Sequence, residues 1–155
     1  MSLQGRLIGL GFNVLRDVRY KKVTLTNSQL KNLRATPITL VAAQGSGKVL
    51  EFLGGIAKLS GGANAITESA DNMAVKYTDG SGVAVSQTVE CTGFIDQTVA
   101  TTTSILPKID AIAAYSASGN KALVLHQTGD GEWAGNAAAD VTMIVSIYYR
   151  IHSFA

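Results

Sequence analysis

Residues 141–151, VTMIVSIYYRI, decide the fold. Val141, Met143, Val145, Ile147, Tyr149 and Ile151 alternate with Thr142, Ser146, Tyr148 and Arg150. Successive side chains on a strand point to opposite faces, so six apolar residues at period two make one buried face. Ile144 is the one apolar residue of the other set. Four residues follow, so this strand is expected to close a sheet at the C-terminal end of an all-β domain. Such a domain is expected to work through its surfaces.

Working outward from that strand, the same pattern recurs in shorter runs. Residues 121–127 set Leu123 and Leu125 on one face, and residues 72–78 alternate Met73, Val75 and Tyr77 with Lys76 and Thr78. Residues 23–26, 38–43, 48–52, 56–59 and 109–115 also read as strands, and residues 99–106 as an edge strand. Gly54 and Gly55 mark a bulge or corner between two of these runs. Glycine-rich turns at 44–47, 61–62, 79–82 and 117–120 separate them. Residues 86–95 fit a short helix or a strand. Thr26 and Gln29 have the spacing of a capping box, which predicts a short helix over 28–33 that Pro37 ends. Residues 63–71 and 129–139 read as loops. About eight short strands parted by such turns indicate a β-sandwich or barrel.

Length and composition set bounds on function. A chain of 155 residues fits one domain, and at that size about 68–70% of the unfolded surface is buried, enough for a core without covalent staples. The single Cys91 can form no internal disulfide and is expected to be a small buried residue. No basic cluster precedes an apolar run at the start, so no signal peptide is expected, and no run approaches the roughly 20 apolar residues of a membrane helix. Residues 1–22 carry five basic residues against Asp17 alone, a balance of +4, and residues 23–155 a balance of −2. A basic arm on a slightly acidic body suggests an arm that docks on something negative, with a solvated tail as the alternative. The arm also holds Leu3, Leu7, Ile8, Leu10, Phe12, Val14 and Leu15 among three glycines, without clean periodicity. The body is poor in charge, which suits a protein that works as an oligomer or in an assembly.

Chemical motifs fail on inspection. Gly45-Ser46-Gly47-Lys48 resembles the end of a phosphate loop, but Ala42 and Val49 stand where glycine and Ser or Thr are needed, and no helix follows. Gly9-Leu10-Gly11 begins a dinucleotide fingerprint that Val14 breaks. His126 and His152 have no Cys, Asp or Glu at ligand spacing, so no metal is expected, and nothing has the spacing of a nucleophile elbow. Asp130-Gly131-Glu132-Trp133 is the loop most suggestive of a site. It reads as a sandwich-edge or subunit contact made by Trp133, or as a cation or sugar site using Asp130 and Glu132. Aromatic residues are too scattered for base stacking, so nucleic-acid contact by the arm would be to phosphates without sequence preference. No enzyme activity and no cofactor are expected.

Three blocks carry a resemblance. The first is Thr24-Leu25-Thr26 with Gln29-Leu30-Lys31-Asn32-Leu33. The second is Thr36-Pro37-Ile38-Thr39-Leu40-Val41 with Gly45-Ser46-Gly47-Lys48-Val49. The third is Asn120-Lys121-Ala122-Leu123-Val124-Leu125 with the closing Tyr148-Tyr149-Arg150. Together they resemble small virion structural proteins of tailed bacteriophages, over roughly residues 23–152. The resemblance implies a jelly-roll-like β-sandwich of about eight strands, with one or two short helices, that decorates or cements a capsid. It implies a homotrimer made in the host cytoplasm and carried on the virion, with the major capsid protein as partner, and no membrane or specific nucleic acid. The division expected is an arm over 1–22 and a sandwich over 23–155. Capsid docking would fall to Arg6, Leu7, Ile8, Leu10, Phe12, Leu15, Arg16, Arg19, Lys21 and Lys22, and subunit contact to Trp133 and Tyr148. The rival reading is a carbohydrate- or receptor-binding module of a tail or fibre, using Trp133 with Asp130 and Glu132.

Replacing Arg6, Arg16, Arg19, Lys21 and Lys22 with alanine should lower occupancy on capsids while the body stays folded. Particle composition measured by gel densitometry checks this, and unchanged occupancy would refute a docking role for the basic residues.

Overall fold

The structure, a computed structural model, describes residues 17–68, 71–98, 101–110 and 113–154. Along these residues the elements run β1 (Arg19–Thr26), α1 (Asn27–Lys31), β2 (Ile38–Val41), β3 (Lys48–Ser60), β4 (Ile66–Thr67), β5 (Asn72–Tyr77), β6 (Thr101–Leu106), α2 (Tyr115–Ser118), β7 (Leu123–Thr128), β8 (Ala134–Gly135) and β9 (Thr142–Ser153). They make a four-stranded sheet in the order β1-β9-β3-β6, a three-stranded sheet β2-β7-β5 and a small ladder β4-β8. All pairings are antiparallel.

The pairings nest. β1 pairs with β9, β2 with β7 and β3 with β6. Innermost, β5 meets the run that follows it, through bridges Lys76·Ala84 and Met73·Val89. The chain is thus one long hairpin paired with its own return. Rolling that hairpin brings β9 against β3 and β7 against β5, the remaining ladders of the two larger sheets. Successive outer strands fall alternately in the two sheets, which is the jelly-roll form of an all-β sandwich.

One core lies between the sheets. Leu25, Leu50, Phe52, Ala57, Leu59, Met143, Val145 and Ile147 enter it from the four-stranded sheet, and Leu40, Met73, Val75, Leu123 and Leu125 from the other. The period-two reading of the last strand holds: Met143, Val145 and Ile147 are fully buried, and Tyr149 and Ile151 pack on the core's margin. Leu30 and Leu33 close one end. Their helix starts at a complete capping box, in which the Thr26 hydroxyl accepts from the Gln29 amide and the Gln29 side chain accepts from the Thr26 amide.

The glycine pair inside β3 is a bulge. The register against β9 shifts between Phe52 and Gly54, and Gly54 sits at φ 139°, a region open to glycine. The extra residue reverses the inward set. Leu50 and Phe52 point inward before the bulge and Ala57 and Leu59 after it, so Ile56 points out and is half exposed. Gly55 lies against β9, where a Cβ would stand 2.6 Å from the Ser146 carbonyl oxygen and 2.9 Å from Ile147 Cγ2.

Several expectations need correction. β1 begins at Arg19 rather than Val23, because pairing of Arg19–Lys22 with Tyr149–Ser146 supplies backbone hydrogen bonds whatever the side chains. The expected arm boundary at 22/23 therefore cuts a strand. The described part of the strand expected over 109–115 is not one: Ile109 makes one backbone bond to Val85, residues 113–114 are irregular, and α2 begins at Tyr115, while residues 111–112 lie outside the described residues. Residues 86–95 are neither a helix nor a regular strand; after the Val89 bridge, the Phe94 and Ile95 amides turn back onto the Cys91 carbonyl. Two stretches read as loops pair through β4 and β8.

Replacing Gly55 with alanine should destabilise the fold by about 1–3 kcal/mol, the range for overpacking a tight site. The midpoint of urea unfolding measures it, and an unchanged midpoint would mean that β9 can move away without loss.

Candidate interaction face

The outer face of the four-stranded sheet is built from residues opposite the core set. Pairing aligns them in rows: Tyr20 beside Tyr148, then Lys22, Ser146, Ile56 and Ile105, then Thr24, Ile144, Lys58 and Thr103. Tyr20, Ile56, Ile105 and Tyr148 are 54%, 50%, 69% and 50% exposed, four of the six exposed large apolar side chains among the described residues. The two tyrosine rings lie 5.4 Å apart, tilted by 50°, and the Tyr20 hydroxyl is 3.1 Å from Ser146 Oγ. A shallow hollow of about 350 Å³ runs between Lys22, Ile56, Lys58, Ile144 and Tyr148.

Farther along this face Glu51 stands opposite Arg150. Lys108 Nζ lies 2.7 Å and His152 Nε2 2.8 Å from its carboxylate, with Arg150 Nη1 at 3.8 Å. Burial pushes the Glu51 carboxyl upward, but the hydrogen bonds and charges of Lys108 and His152 outweigh it and hold the group below the usual carboxylate range. The acidic group at this end of the face is therefore neutralised from within.

The other sheet presents no comparable face. Ala74, Val124 and His126 point away from the core on β5 and β7, yet each is buried. His126 lies under the turn at Gly80, where a Cβ would come within 2.4 Å of its Nε2. Its Nδ1 has no hydrogen-bond partner among the described residues. Burial pushes the imidazole below its ordinary value, and the charges of Lys76 and Arg34 push it the same way. A hydrogen bond with the Arg34 backbone and the charge of Glu132 oppose them.

The residues singled out from sequence divide sharply. Tyr148 stands on the exposed face. Trp133 is 2% exposed, packs in the core and donates from Nε1 to the Asp71 carbonyl at 3.2 Å. Its indole is the loop's anchor, so it offers neither a subunit contact nor a sugar platform. The Glu132 carboxylate accepts from the Arg34 and Ala35 amides at 3.1 and 2.7 Å, and the Asp130 carbonyl accepts from Arg34 Nη1 at 2.9 Å. That loop binds the chain after α1, which removes the basis for a carbohydrate site there. Arg19, Lys21 and Lys22 are exposed residues of β1. Arg6, Leu7, Ile8, Leu10, Phe12, Leu15 and Arg16 lie outside the described residues.

Chemistry is equally sparse elsewhere. Among the described residues no three of His, Cys, Asp and Glu come together as a metal-holding group. Cys91 is fully buried and its thiol is pushed up to about 12, chiefly by burial, so it carries no thiolate at neutral pH. Sequence reasoning missed Tyr20, Ile56, Lys58 and Ile105 as members of a surface. The available signal was Ile144, the apolar residue on the wrong side of the last strand.

No family model matches the chain, and no curated protein matches it. Among solved structures it is similar to a chain titled cyanophage Pam1 capsid asymmetric unit, with 19% identity and a TM-score of 0.42, covering 97% of this chain and 96% of that one. A likeness this loose transfers no residue role.

The buried imidazole has a measurable consequence. Between the unfolded-state value of about 6.5 and the lower folded value of His126, the unfolded chain binds more protons. Stability is therefore full above about pH 6.5 and falls as pH drops from there through the folded value. The melting temperature should decline from pH 7 to pH 5, and His126→Gln should flatten that decline. Equal slopes in the two proteins would show that other groups set the acid limb.

Proposed function

We propose that this chain is a structural protein of a bacteriophage virion, of the cement or decoration type. It binds the outside of the capsid at seams between major capsid subunits, as a homotrimer, after synthesis in the host cytoplasm. Its work is binding rather than catalysis. One observation carries the reading: four of the six exposed large apolar side chains among the described residues gather on one uncovered sheet face, where an isolated soluble domain normally scatters them. The blocks that resemble phage virion proteins support it, and they supply the trimer and the seam.

The mechanism is mechanical. Packaged DNA presses outward on a shell, and a protein spanning several subunits adds buried area across the joints that would open. A standard interface buries about 1,600 Å² in total, and small contacts on neighbouring subunits reinforce one another when one rigid body holds them all. A jelly roll supplies that rigidity, because its hairpin is paired along its length and its core is shared by both sheets.

Capsids assembled without this chain should release DNA at a lower temperature than complete particles, and added purified protein should restore the difference. Dye-detected DNA release during heating measures it. Identical release temperatures with and without bound protein would refute a stabilising role.

A further inference from the structure

We propose that the outer face of the four-stranded sheet docks an apolar protein surface fringed with carboxylates. The inference rests on the capsid reading and adds what the face recognises. Tyr20, Tyr148, Ile56 and Ile105 supply the apolar contact. Lys22 and Lys58 stand among them on adjacent rows, both exposed. Neither ammonium forms an ion pair among the described residues, and the aligned rows from Tyr20 to Thr26 contain no carboxylate. The acid farther along the sheet, Glu51, is already held by Lys108, Arg150 and His152. The face is thus apolar, positive and internally uncompensated, which complements a partner bringing both apolar area and negative charge.

Other occupants fit less well. Packing the face on its own copy would bring two positively charged faces together with no carboxylate in these rows to offset them, and like charges across a contact are unfavourable. A sugar ring needs a flat aromatic platform, and these two rings are tilted by 50°. A second observation points the same way. In the sequence, residues 1–16, ahead of Asp17, are again apolar and basic, with Arg6 and Arg16 and no carboxylate. The same partner chemistry therefore suits the face and the sequence that precedes β1.

The test uses the full chain and capsids assembled without it. Lys22→Glu with Lys58→Glu should weaken binding about tenfold and flatten its dependence on salt. Lys48→Glu with Lys121→Glu makes the same charge change at the opposite end of β3 and should leave binding within about twofold. Unchanged melting temperatures confirm that both variants are folded. A photo-crosslinking residue at Tyr148 should capture an acid-rich segment of the major capsid protein. Parental binding by the Lys22/Lys58 variant, or capture of a second copy of this chain, overturns the face assignment and leaves the capsid reading intact. If the unmodified protein binds phosphatidylserine vesicles and not capsids, both readings fall.

Discussion

Everything in this molecule depends on the two-sided pairing of β9. It is the long inner strand of its sheet, with β1 on one edge and β3 on the other along most of its length. Its backbone donors and acceptors have no access to water there, so they must find partners in register. That register fixes which residues of three strands point inward. A slip of one residue would send Met143, Val145 and Ile147 to solvent and bring Ile144, Ser146 and Tyr148 inward. Three fully buried apolar side chains against three with little to gain make that slip strongly unfavourable. The same choice fixes the outer face, so core and candidate site are two results of one constraint.

The period-two residues of β9, β5 and β7 were legible because one face of each is core, and alternation records that directly. The capping box at Thr26 and the bulge at Gly54–Gly55 were legible because each rests on local chemistry. What failed was decided at a distance. Arg19–Lys22 looks like a tail until β9 provides a strand to pair with. Residues 109–115 alternate well enough for a strand, but their described residues join no ladder. The site was harder still. Trp133 drew notice as the only tryptophan beside two carboxylates, yet burial settles its role, and burial follows from Asp71, sixty-two positions away. Ile56 faces outward only because the bulge reverses parity, an effect that the strand pattern of 56–59 does not show by itself.

The two outer faces of the sandwich have been treated differently by the chain. On the smaller sheet, the turn at Gly80 lies over His126, and Val124 is buried too. Glu132 and Arg34 are spent on tying their loop to the chain after α1 and Trp133 on anchoring it in the core, which is why a loop that looks chemical in sequence is structural in fact. On the larger sheet nothing among the described residues folds over Tyr20, Tyr148, Ile56 and Ile105. Edge strands guard against unwanted pairing with charge, and β1 carries Arg19, Lys21 and Lys22. One of them, Lys22, lies on the open face and with Lys58 gives it its sign.

The nested hairpin also sets a timetable. Tyr20 and Ser146 touch across 126 positions of chain, and proteins dominated by such distant pairings fold slowly, in milliseconds to seconds, because loop closure must precede any gain from contact. β5 and the run after it can meet early; β1 must wait for β9, its partner far along the chain. Until then β1 is a bare edge with apolar residues on both sides of it. In such a half-rolled chain the exposed basic residues Arg19, Lys21 and Lys22 are what guard that edge against pairing with another chain.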